Sequence, residues 1–318
     1  MEIVPINGWV LNRIVQLDFA RPGFAGSYLR ASAERRQVIA AFLAAVRVGR
    51  EKEGEAAAIL ATADHRSILA HAFGKVPLGL RRALAKSGPQ PYDPAYYRDL
   101  HTALACGPQH VVTAIMQSCK LGPDSLSIIT MLPPDICDHR IIHRIEGRQQ
   151  AEDLALVVSM MAARGIKRSE FVGALLKSKR SLKKVVQHWA LQIPFAPPPI
   201  PEADGYRPIR NGAELRRTAL RYQNCSRRYM TDSIGGANAF AEYTDADGRQ
   251  ALLCLEKRDG TWTVDGVYVR RNRQVPGDLN ETVRQFAARY GILERRHSER
   301  KDDATAALKR FTRSIFDW

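Results

Sequence analysis

No stretch of this 318-residue chain approaches the roughly 18 consecutive apolar residues that a membrane-crossing helix needs. The five cysteines, Cys106, Cys119, Cys137, Cys225 and Cys254, are odd in number, scattered, and form no C-x-x-C pair. That pattern argues against a disulfide framework and for reduced thiols in a cytosol. The N-terminus lacks the marks of a signal peptide. Glu2 stands where Lys or Arg is wanted, and Asn12 and Arg13 interrupt the apolar stretch. A cytoplasmic protein with no membrane partner is expected. Catalytic signatures are missing too: there is no Walker motif, no G-x-G-x-x-G, no G-x-S-x-G and no H-E-x-x-H, so no cofactor is expected.

Acidic residues are the other deficit. Asp and Glu number 33 against 48 Lys and Arg, a formal net charge of +15. Such a surplus concentrates polyanions near the protein and speeds their encounter with it. Nucleic acid is the commonest such partner, with acidic proteins and anionic lipid as others. Charge alone implies no sequence preference, because phosphate contacts position a protein without reading bases. What is present is otherwise ordinary: 45% hydrophobic and 25% charged residues, typical of a globular chain of one large or two medium domains.

The pattern along the chain predicts an α+β protein. Residues 1–192 carry a succession of short helical segments, among them "SAERRQVIAAFLAAVRVG", with Ser32 as N-cap, and "DPAYYRDLHTALACG". Starts at Pro and stops at Gly recur, and the brief connections imply helical hairpins or an irregular solenoid without a fixed repeat. A proline-rich linker, "IPFAPPPIPEADG", covers 193–205. Residues 206–318 read as a basic module: a helix, "GAELRRTALRYQNCSRRYM", a three-stranded antiparallel meander, a helix starting at Pro276, and a last helix carrying Leu308, Phe311, Ile315 and Phe316. Asp247-Gly248 and Asp259-Gly260 between β-prone runs mark the two hairpins.

Four groups of residues carry chemistry. Lys179, Arg180, Lys183 and Lys184 crowd one or two basic amphipathic helices over 165–193, which fit a phosphate backbone or serve as a solvated face. Tyr268, Arg270, Arg271, Asn272 and Arg273 close the third strand, where Trp262 also lies. Alternation would put Tyr268, Arg270 and Asn272 on one face, either to stack bases and grip phosphates or to blunt a sheet edge with charge. Cys225, on a helical wheel, falls at the edge of the stripe Leu215, Ala219, Tyr222, Ser226 and Tyr229, with Arg221 and Arg228 one turn away on either side. Nearby cations favour thiolate, so Cys225 reads either as an activated nucleophile or as a boundary packing residue. His297, the one histidine after the linker, is its nearest thing to a base. Cys137, His139 and His143 show one helical turn of zinc-like spacing but no fourth ligand, so no metal site is assigned.

The run "IRNGAELRRTALRYQNCSRRYMTDSIGG", followed by "AFAEYTDADGRQALLCLEK" and "TWTVDGVYVRRNRQV", resembles PcfJ-like proteins of conjugative and other mobile elements over roughly residues 207–292. Cys225, Tyr229, Gly235 and Asn272 fall at the family's positions. Asn224 replaces the His that usually precedes the Cys, and "DGVYVRRN" replaces a Gln-x-x-Gly motif. The resemblance implies a mobile-element context rather than an activity. Together these features lead to the expectation of a non-catalytic protein that binds DNA or RNA through its C-terminal module and a protein partner through its helices. A Cys225-dependent enzyme, with Tyr229 or Asn224 orienting substrate, and a structural adaptor for an acidic protein are the alternatives.

Overall fold

The structure, a computed structural model, describes residues 8–203 and 205–292. The fold is α+β: among these residues sixteen α-helices accompany one four-stranded antiparallel sheet. His297 and the expected last helix at Leu308, Phe311, Ile315 and Phe316 lie outside the described residues. No helix of the described residues is long and apolar enough to cross a membrane. The chain divides into two compact units at Glu152/Asp153.

The first unit contains α1 (Gly8–Ala20), α2 (Phe24–Arg30), α3 (Ala33–Ala45), α4 (Glu53–Thr62) and α5 (His65–Phe73). It continues with α6 (Leu80–Ala85), α7 (Pro94–Cys106), α8 (Gln109–Gln117), α9 (Pro123–Met131) and α10 (His139–Ile142). Local chemistry sets many of these boundaries. The Ser32 side chain accepts from Arg35 N, as the sequence predicts, and Asp64 caps α5 by accepting from Arg66 N and Ser67 N. The helices do not stack as a solenoid of nearest neighbours. Residues Gln37 through Leu43 of α3 are all buried, and α1, α5, α6 and α7 pack around that helix. Its one buried polar side chain is fully satisfied: Gln37 donates to the carbonyls of Gly88 and Gln90 and accepts from Tyr97 Oη at 2.7 Å.

Helix α11 (Arg148–Ala163) spans the division. The second unit then holds α12 (Arg168–Lys177), α13 (Leu182–Ala190), β1 (Tyr206–Pro208), α14 (Gly212–Tyr222), α15 (Met230–Gly235), β2 (Asn238–Thr244), β3 (Gln250–Arg258), β4 (Thr261–Tyr268) and α16 (Gly277–Arg289). The expected meander is β2-β3-β4, and β1 adds a fourth, edge strand paired through Tyr206↔Tyr243 and Pro208↔Ala241. The proline-rich stretch is a strap fixed to this unit. Ile193 and Ile200 are fully buried, Phe195 N donates to Arg210 O, and Ala196 N to Ser233 O.

Both hairpins turn where Asp-Gly places them. Asp259 and Gly260 are both left-handed (φ 48° and 81°), the geometry of a two-residue type I′ turn. In the β2–β3 loop Gly248 is left-handed, while Asp245 Oδ1 accepts from Asp247 N and Arg249 N. The run "ALLCL" of β3 is buried throughout because the sheet is covered on both faces. Leu253, Leu255 and Val264 face Leu279, Val283 and Ala287 of α16, each Leu or Val side chain contributing roughly 1.5–3 kcal/mol by burial. Phe240, Glu242 and Cys254 point to the other face, where Tyr229 lies against the Phe240 ring at 5.8 Å and Arg221 reaches Glu242.

Candidate nucleic-acid interface

Helix α14 is the spine of the basic surface. Asn211 caps it by accepting from Glu214 N at 2.9 Å, and Glu214 in turn accepts from Arg210 N. Replacing Asn211 by Ala will cost about 1 kcal/mol of stability in a urea titration, the usual loss of an N-cap acceptor. Leu215, Thr218, Ala219 and Tyr222 are buried, which leaves Arg216, Arg217 and Arg221 on the outer face. Gly212 lets the end of α13 approach closely, since a Cβ there would lie 2.6 Å from Met230 Sδ and 3.1 Å from Leu191 Cα. Ala213 N donates to Leu191 O across the same contact.

That docking builds the first of three cationic clefts, two of them lined in part by α14 and the third tied to its C-cap. The first is about 470 Å³ and is lined by Arg180, Lys184, Gln187, His188 and Leu191 together with Arg216. The expected pair of basic helices is α12 and α13, with Phe171, Leu175, Leu182, Val185 and Val186 buried beneath them. Lys179 and Lys183 lie outside the cleft lining.

The second cleft, about 230 Å³, is lined by Arg207, Glu214, Arg217, Thr218 and Arg221. Beneath it Glu242 of β2, with a side chain only 9% exposed, binds both Arg221 and Arg207. Those two arginine side chains remain 53% and 62% exposed, so the buried carboxylate fixes their guanidiniums at a surface open to water. Tyr222 packs in the same corner. Its hydroxyl is pushed up to about 12, by burial first and the Glu242 charge second.

The third cleft, about 260 Å³, is formed by Val269, Arg270, Arg271 and Arg273. Here the expected strand alternation fails. Strand β4 ends at Tyr268, and Arg271 and Asn272 turn left-handed (φ 62° and 50°). Arg271 Nε donates to Gln223 Oε1 at 2.6 Å, and Gln223, the C-cap of α14, is left-handed as well. Two non-glycine turns in a costly conformation therefore clasp each other and tie the third cleft to α14. Among the described residues Arg216, Arg217, Arg270 and Arg273 carry no side-chain hydrogen bond or ion pair.

The aromatic side chains do not join this surface. A bulge opposite Cys254/Leu255 inserts Asp265 into β4, so Trp262 and Tyr268, six residues apart, fall on opposite faces. Trp262 packs on the α16 side under Lys257 Nζ, at 5.9 Å from the ring centroid. Tyr268 is half-buried over Gly266, its hydroxyl pushed up to about 12 by burial. Neither ring contributes to the lining of the three clefts.

Cys225 is not on a helix edge. Helix α14 stops at Tyr222, and Cys225 is an exposed turn residue before a 3-10 segment at Ser226–Tyr229. The guanidinium expected to activate it from Arg221 is held by Glu242 instead. Arg228 is exposed and lines none of the three clefts. Asn224 Oδ1 accepts from Ser226 N and Oγ, fixing the corner, and Tyr229 faces Phe240. Elsewhere, Cys137 turns inward to donate to Ile129 O, with burial pushing its thiol up to about 11, while His139 pairs with Gln117. Among the described residues no three His, Cys, Asp or Glu converge to hold a metal ion. Exposure sorts the five thiols. Cys106, Cys119 and Cys225 will alkylate in the native protein, and Cys137 and Cys254 only after denaturation, so intact-mass spectra will read three adducts and then five.

Arg207, Arg216, Arg217 and Thr218 were not among the residues singled out from the sequence. The doublet at 216–217 on the polar side of an amphipathic helix was a usable signal, whereas Arg207 depends on a three-residue strand with no pattern of its own. No protein-family model, curated protein or solved structure matches the chain.

Proposed function

We propose that the second unit binds nucleic acid through the row of clefts along α14, gripping the sugar-phosphate backbone without reading sequence. The observation that carries this is the set of exposed arginines, Arg216, Arg217, Arg270 and Arg273, that have no acidic partner among the described residues. Unpaired guanidiniums spaced along one helix and its C-terminal clasp are suited to successive phosphates. Arginine dominates the three clefts and no Phe, Tyr or Trp lines them, so affinity will depend steeply on salt and weakly on sequence. The resemblance at Cys225, Tyr229, Gly235 and Asn272 supplies the context we attach to this activity, a mobile genetic element in the bacterial cytoplasm. The helical first unit is assigned the protein partner.

Fluorescence anisotropy with labelled oligonucleotides of unrelated sequence tests the proposal. Binding is expected at 50 mM salt with a log–log salt slope of about −4 to −6, as for five to seven neutralised phosphates. Absence of binding to DNA and RNA at that salt removes it. A Cys225-dependent enzyme gains no support from the geometry, because Asn224 and Arg221 are both committed to structural contacts.

A further inference from the structure

We propose that the first unit docks an acidic, amphipathic peptide segment of a partner protein in the groove beside α5 and α6. This rests on assigning that unit the protein partner, and it names the partner's chemistry. The groove is about 850 Å³; Ala70, Val76 and Ala85 give it apolar surface in front of the buried Leu69 and Leu80, and Glu34, Arg66, Arg81 and Arg82 are also on its wall. Leu78, 92% exposed, stands at its edge. The turn that carries it is closed at both ends by left-handed glycines, Gly74 (φ 69°) and Gly79 (φ 89°). It is also packed down, since a Cβ on Gly79 would lie 2.2 Å from Met116 Sδ, and Leu80 N donates to Pro77 O. A leucine held in water by a fixed turn, next to an apolar concavity, is the form of a binding anchor whose ordering cost is met before the partner arrives.

The charge around the groove selects the partner. The groove wall carries three arginines, Arg66, Arg81 and Arg82, against one carboxylate, Glu34. Arg81 is engaged by Glu34 at 2.7 Å, while Arg66 and Arg82 have no side-chain partner among the described residues. An apolar floor with a cationic rim complements a helix that presents leucines on one face and carboxylates beside them. Nucleic acid would meet the rim but leave Leu78 and the floor in water.

The test uses the full chain and a fluorescent synthetic peptide of Leu, Glu and Ala, with leucines at i, i+3, i+4 and i+7. Saturable binding is expected, weakened at least about tenfold by Leu78→Asp and by Arg82→Glu. Leu78 is exposed, so circular dichroism and melting of L78D will match the parent. Equal binding of a scrambled peptide, unchanged affinity of L78D, or displacement of the peptide by a duplex oligonucleotide overturns the proposal. L78D is expected to keep full oligonucleotide affinity, and substitution of Arg216 and Arg217 to keep full peptide affinity, so this proposal and the nucleic-acid proposal fail separately.

Discussion

Replacing Arg216, Arg217, Arg270 and Arg273 together by alanine will weaken oligonucleotide binding by about 100-fold at 50 mM salt, taking roughly 0.7 kcal/mol for each exposed charge contact. The same substitution will flatten the log–log salt slope by about 3 to 4, since each lost phosphate contact removes close to one released counterion. All four side chains are exposed and none has a side-chain partner among the described residues, so the melting temperature will stay within a degree or two of the parent. The two observables separate the account from a diffuse charge effect. Alanine replacement of Arg13, Arg30, Arg47 and Arg50, four arginines of the first unit, removes the same formal charge. It will leave the slope nearly unchanged.

The second large effect concerns stability. Substituting alanine for both Arg207 and Arg221 leaves Glu242, nine-tenths buried on the sheet face beneath the middle cleft, without either cation. An uncompensated buried carboxylate costs about 3–5 kcal/mol, a loss of roughly 6–20 °C in melting temperature for a unit of this size. Adding Glu242→Gln to that background will restore most of the loss, because the amide needs no counter-charge. Glu242→Gln alone will cost far less, since Arg207 and Arg221 are more than half exposed and water can solvate them. Glu242 thus positions the two arginines rather than stabilising the fold outright. Calorimetry of the three variants gives the ordering.

The asymmetry between what could and could not be read from the sequence has a physical cause. Ser32 as a cap, the Asp-Gly hairpins, and the apolar stripe of α13 are set by interactions within a few residues, and each stands where its local chemistry puts it. The helix predicted through Cys225 ends at the left-handed Gln223, where Asn224 N turns back to Ala219 O, and Arg271, 48 residues away, clasps the Gln223 side chain. The alternation predicted through Asn272 fails at the same clasp, and the bulge at Asp265 parts Trp262 from Tyr268 within a single strand. The basic character of Arg180, Lys184 and the 270–273 turn was visible in advance. Their connection through α14 was not, because it depends on Gly212 admitting α13 and on β1 delivering Arg207.

The central claim is that the cations of the second unit form one phosphate-binding row along α14. Arginine footprinting tests it most directly: phenylglyoxal modification of the full chain, with and without a bound oligonucleotide, mapped by peptide mass spectrometry. Protection concentrated at Arg216, Arg217, Arg221, Arg270 and Arg273, with Arg13, Arg30 and Arg47 reacting equally in both samples, is the predicted result. Protection spread evenly over the arginines of both units, or none at 216, 217, 270 and 273 under saturating oligonucleotide, would contradict it.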